Sequence, residues 1–61
     1  MIQTEHYYFE MGYKISKALA QKNASRVKQL MNLFNEQLKK ENDLDRERAK
    51  FLYANGFKEG N

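Results

Sequence analysis

Sixty-one residues, a net charge of +3, no cysteine, no proline and a single histidine set narrow bounds. A chain of this size forms at most one domain around a small core. Without cysteine it has no disulfide, thiolate metal site or cysteine nucleophile, which leaves oligomerisation or a partner as the way to bury more surface.

Nothing alternates with period two, and the β-branched residues are only Ile2, Thr4, Ile15 and Val27, so strands are not expected. Good helix formers dominate. The fold class is all-α: a small helical hairpin or three-helix protein, one domain over residues 1–61, completed by oligomerisation.

The first helix is expected over residues 3–22. Thr4 is placed to cap its first turn, Glu5 faces the positive end of the helix dipole, and Glu10 and Lys14 pair at i, i+4. At about 100° per residue, Tyr8, Met11, Ile15, Ala18 and Leu19 form one apolar stripe. Ile2, Phe9, Tyr13 and Ala20 form a second, leaving a narrow polar wedge around His6, Lys14 and Lys17. A helix apolar on most sides is a buried helix, and so short a chain cannot cover both stripes itself. Gly12 sits inside this helix, where it costs about 1 kcal/mol against alanine; it is a candidate for a tight helix crossing.

Asn23–Ser25 can stop the first helix and start the next, because asparagine suits both a left-handed helix end and an N-cap. A second helix over 25–41 carries Val27, Leu30, Met31, Phe34 and Leu38 at i, i+3, i+4, i+7 and i+11, with Leu33 widening the arc. Lys39–Arg48 is charged or amide except for Leu44. Asn42 and Asp43 are placed to break the helix and cap a third one over 43–55, with Gly56 as its left-handed C-cap. One continuous helix from 25 to 55 is the other reading. The third helix sets Leu44, Phe51 and Leu52 on one side and Ala49, Tyr53 and Phe57 on the other. An echo links the two ends: Phe9, Gly12, Tyr13 and Lys14 recur in order and spacing as Tyr53, Gly56, Phe57 and Lys58.

Catalytic chemistry finds little to work with. Ser16 lies beyond reach of His6, so no nucleophile–base pair forms. The carboxylate pairs Asp43/Asp45 and Glu36/Glu41 fall in solvated segments. His6 and Glu10 supply only two ligands of a metal site, and no glycine-rich phosphate loop is present. The expectation is a non-enzymatic protein with no catalytic residue, metal ligand or cofactor. No apolar run approaches the roughly 20 residues that span a bilayer, no basic-then-apolar leader opens the chain, and the polar face of the first helix mixes acid with base, unlike a lipid-binding helix. A cytoplasmic protein without membrane contact is expected.

Leu19 to Leu30 resembles a helix-turn-helix of repressor type. Ala20 stands at the small residue of the first helix, Ala24 at the turn position, and Leu30 and Leu33 at the buried positions of the recognition helix. The chain departs from that pattern at Ser25, where an apolar residue belongs, and in the breadth of the apolar face that Met31 and Phe34 add. The resemblance implies a small DNA-binding regulator, with Arg26, Lys28 and Gln29 reaching the groove and phosphates.

Eight aromatics, four Tyr and four Phe, weigh toward another class, since Tyr, Phe and Met are enriched at protein interfaces. The first reading is therefore action by protein–protein contact: a homo-oligomer that also occludes or bridges an unidentified partner protein. This is the inhibitor or adaptor type that phages and plasmids encode as accessory proteins. Its candidate interface residues are Phe9, Gly12, Tyr13, Tyr53 and Phe57, the four aromatics forming one patch if the helices run antiparallel with the chain ends adjacent. The helix-turn-helix regulator, with nucleic acid as partner, is the alternative.

Overall fold

The computed structural model describes the backbone of residues 2–61 and the side chains of residues 6–61. The expected cap by Thr4, the charge at Glu5 and the apolar contribution of Ile2 lie outside the described side chains. Three helices follow in order, α1 (Ile2–Ala20), α2 (Ala24–Lys39) and α3 (Asp43–Gly60), with no strand among the described residues.

Both corners are built from local hydrogen bonding. At the end of α1, Lys22 takes the left-handed conformation with φ 59°. The Lys22 amide reaches the Leu19 carbonyl and the Asn23 amide the Ala18 carbonyl, each at 3.0 Å, the paired bonds of a Schellman helix end. Of the two roles open to Asn23 it takes the N-cap of α2, its side chain accepting from the Arg26 amide at 3.1 Å. At the second corner Asn42 caps α3, accepting from the Asp45 amide at 2.8 Å. Asp43 and Asp45 add negative charge to that first turn, where the helix dipole favours it. Residues 25–55 therefore make two helices, not one.

Arg46 closes this corner from the α3 side. Its guanidinium donates to the Glu41 carbonyl at 2.9 Å and the Leu38 carbonyl at 3.4 Å, and pairs with Asp43 at 3.0 Å. Its positive charge thus stands at the Leu38 carbonyl in the last turn of α2 and the Glu41 carbonyl in the turn beyond, where the negative end of the helix dipole favours a cation. From α1, the Tyr8 hydroxyl donates to Glu41 Oε2 at 2.7 Å. Three segments thus meet at one turn.

α1 packs mainly against α3, and α2 lies across the pair. The core is the first stripe of α1: Tyr8, Met11, Ile15 and Ala18 are buried together with Leu30 of α2 and Ala49 of α3. Val27, Phe34, Tyr53 and Phe57 are half-buried around it. Leu19 does not join that stripe; it is 50 % exposed. The last helical residue of α3, Gly60, packs at Ser16, and Leu19 lies almost a turn further along α1.

The expected end of the third helix at residue 55 and the C-cap role of Gly56 are both corrected. α3 runs through Gly56 to Gly60, no glycine adopts positive φ, and both residues are buried. The reason is packing. A Cβ at Gly56 would fall on the carbonyl oxygen of Phe9, and one at Gly12 on that of Tyr53. A Cβ at Gly60 would come within 2.7 Å of Ser16 Cβ. Gly12 and Ser16 on α1 face Gly56 and Gly60 on α3, a four-residue spacing of small residues on each helix that lets two backbones approach closely. The pairing order, Phe9 with Gly56 and Ser16 with Gly60, makes α1 and α3 parallel, with α2 returning between them.

Candidate contact surfaces

The sequence echo has a structural counterpart at this crossing. Gly12 rests on the backbone of Tyr53 and Phe57, and Gly56 on the backbone of Phe9 and Tyr13. The exchange is reciprocal, so the crossing has local two-fold character. The aromatic pairs flanking the glycines consequently fall on opposite sides of the α1–α3 pair. Around α1, Met11, Ile15 and Ala18 turn to one side of the glycine line and Phe9 and Tyr13 to the other.

α2 covers one flank only. Phe34 meets the Tyr8 ring edge-on at 5.9 Å and the Tyr53 ring at 4.4 Å, and Tyr53 stacks with Phe57 at 6.3 Å. Burial raises the Tyr53 phenol above its ordinary pKa. Burial, then the bond to the Glu41 carboxylate, pushes the Tyr8 phenol much further up. Both hydroxyls therefore stay protonated, and the Tyr8 hydroxyl remains a donor.

The opposite flank is open. Phe9 and Tyr13 line a shallow depression of about 240 Å³ with His6 and Glu10. The Lys17 ammonium stands 5.4 Å from the Tyr13 ring, close enough for a cation–π contact. His6 and Lys14 both approach Glu10, at 3.4 and 3.5 Å, so the rim is charged.

The five interface residues expected from sequence are thus divided. Phe9 and Tyr13 are presented together on the open flank. Tyr53 and Phe57 are engaged with Phe34 and the core cluster, and the bare face of Gly12 is taken up inside the chain. Successive helices do run antiparallel, but the single four-aromatic patch does not form, because Tyr53 and Phe57 turn to the flank that Phe34 of α2 covers and Phe9 and Tyr13 to the opposite one.

Two further apolar surfaces were not singled out in the sequence. Leu19, Val27 and Met31 line a groove of about 480 Å³ beside the α1–α2 turn, with Lys22 and Lys28 at its edge and no acidic residue in its lining. On the outer face of α3, Leu44 is 81 % and Phe51 63 % exposed. Sequence did show apolar residues on two sides of α3. The glycines decide which side is buried, and they select Ala49, Gly56 and Gly60.

The residues of the helix-turn-helix resemblance are placed as follows. Leu30 is buried, whereas Leu33 is about half exposed. Arg26, Lys28 and Gln29 are all exposed, and the Arg26 guanidinium donates to the Gln29 side chain at 3.0 Å. Among the described residues no three of His, Asp and Glu converge as a metal site would require, and no helix is long and apolar enough to cross a membrane. The chain matches no known family model, no curated protein and no solved structure with which it was compared.

Proposed function

We propose that this protein acts by protein–protein contact, associating with itself and occluding or bridging a partner protein, without catalysis. The observation that carries this reading is the unequal treatment of two related flanks. Phe34 of α2 packs on Tyr53 beside Phe57, while their counterparts across the glycine crossing, Tyr13 at 39 % exposed and the half-buried Phe9, line an open depression with His6 and the charged Glu10 at its rim. Aromatic residues ringed by charge are the composition of a contact centre.

The total surface supports it as well. The chain exposes 4668 Å², against roughly 4200 Å² expected for a folded monomer of this mass. Large apolar side chains at Leu19, Met31, Leu33, Leu44 and Phe51 are each between 45 % and 81 % exposed.

Two measurements test the proposal. Self-association coupled to folding makes the melting temperature rise with protein concentration; a constant value over a hundredfold range counts against it. A two-hybrid screen with the wild-type chain should return partners that Phe9→Ala and Tyr13→Ala lose while keeping full helicity. Retention of those partners by both variants, or tight sequence-selective duplex binding that survives about 200 mM salt, would reject the reading.

A further inference from the structure

The groove beside the α1–α2 turn joins an apolar floor to a positive edge. Leu19 of α1 and Met31 of α2 are exposed there, and half-buried Val27 completes the floor. The lining follows α2 from Ala24 to Asn35, about 16 Å of helix axis or three turns. Lys22 and Lys28 belong to it, and neither makes an ion pair among the described residues. No acidic residue and no residue of α3 enters the lining.

This charge is regional. From Met11 to Asn35 the chain holds Lys14, Lys17, Lys22, Arg26 and Lys28 and no Asp or Glu. Lys14 is engaged by Glu10 and Lys17 by the Tyr13 ring, while Arg26 bonds the neutral Gln29. The first turn of α2 carries no acid, so no carboxylate of that turn offsets the positive end of its dipole. α3 has Asp43 and Asp45 at the same place. Glu36, one residue past the lining, is paired with Lys39 at 3.4 Å.

For this groove a second copy is a poor match. Groove against groove would oppose lysine to lysine. The exposed side of α3 sets Arg48 beside Leu44 and Phe51, and its acids Asp43, Asp45, Glu47 and Glu59 are balanced by Arg46, Arg48, Lys50 and Lys58. A nucleic-acid backbone would pair the lysines and leave the apolar floor uncovered. A concave floor between two helices cannot enter a bilayer as a protruding apolar face does. We infer that the groove docks an acidic amphipathic helix of a partner protein, its apolar stripe on Leu19, Val27 and Met31 and its carboxylates toward Lys22 and Lys28. Three turns of groove suit a helix laid lengthwise with anchors at i, i+3, i+4 and i+7. The assignment rests on the partner-contact part of the proposed function and adds to the Phe9–Tyr13 flank a second docking surface, as bridging requires.

Nuclear magnetic resonance titration of the isotope-labelled chain tests it. The probe is a synthetic helical peptide with leucines at i, i+3, i+4 and i+7 bordered by glutamates. The controls are the same peptide with lysine for glutamate and a scramble that breaks the leucine stripe. Shifts should concentrate at Leu19, Val27 and Met31, and neither control should bind. Lys28→Glu should weaken binding about tenfold, and Met31→Gln about as much, both with unchanged circular dichroism. Lys22→Glu/Lys28→Glu should lose the acidic peptide and take the lysine peptide instead. Phe9→Ala should bind as wild type does. No binding of the acidic peptide, or equal binding of its scramble, would overturn the inference. So would groove shifts raised by a short DNA duplex or by anionic phosphatidylserine vesicles and not by the peptide. Shifts at Phe9 and Tyr13 that Phe9→Ala abolishes would remove the groove as the docking place while leaving the contact reading standing.

Discussion

Replacing Gly56 by alanine adds one methyl group, and elementary propensity predicts a gain of about 1 kcal/mol for a residue inside a helix. The structure predicts the opposite sign. The new Cβ would strike the carbonyl oxygen of Phe9, with the Phe9 carbonyl carbon at 2.8 Å and the Tyr13 nitrogen at 3.1 Å. All three obstacles are backbone, so no rotamer change relieves the clash and α1 and α3 must separate. Overpacking of this kind costs about 3 kcal/mol at the upper end of its usual range, leaving a net loss of about 2 kcal/mol once propensity is credited. A domain of this length has only about 3–9 kcal/mol in total. The corresponding fall in melting temperature is about 8–16 °C. Circular dichroism melts at one fixed concentration, with the exposed helical substitution Asn55→Ala as control, provide the assay. Gly12→Ala should behave like Gly56→Ala, since it meets the backbone of Tyr53 and Phe57. A Gly56→Ala protein that melts higher than wild type would refute the close crossing.

Other consequences follow from the corners. Asn42→Ala removes the acceptor for the Asp45 amide and should lower stability by about 1 kcal/mol in urea unfolding. Lys22→Gly relieves a left-handed conformation at φ 59° and should raise stability by about 0.5–1 kcal/mol by the same assay. Tyr8 links stability to alkaline pH. Its phenol is held above the ordinary value of 10.0 in the fold, so the stabilisation is complete below that value and declines as pH climbs past it, when the unfolded phenol ionises first. Tyr8→Phe should be less stable at neutral pH by about 1 kcal/mol. It should also lose stability less steeply above about pH 10, as followed by urea midpoints across that range.

Much of the fold is legible in the residues, and the misses have definite causes. The stripe of Tyr8, Met11, Ile15 and Ala18 gives the buried side of α1 because periodicity reports burial directly. The asparagines at 23 and 42 mark both helix starts because their side chains satisfy free amides. Leu19 follows the stripe yet stays outside, since periodicity carries no information about where α3 stops. Gly56 near a helix end suggests a C-cap when read alone. Its true role is written in pairs, Gly12 with Ser16 and Gly56 with Gly60, each four residues apart. Arg46 leaves no local signature, because its partners lie eight and five residues back across a turn. Of the four aromatics expected to share one patch, Phe9 and Tyr13 lie together in a surface depression, but sequence could not show that Tyr53 would be taken up by Phe34 and Phe57 by the core cluster.

Mass in solution tests the central claim most directly. Sedimentation equilibrium from low micromolar to about 100 μM should show the chain passing from its own 7.3 kDa to twice that mass, as expected of a closed two-fold pair. A constant monomer mass across the whole range, from a protein that is fully helical and melts cooperatively, would mean that its exposed apolar surface is tolerated without a second copy, and would contradict the account.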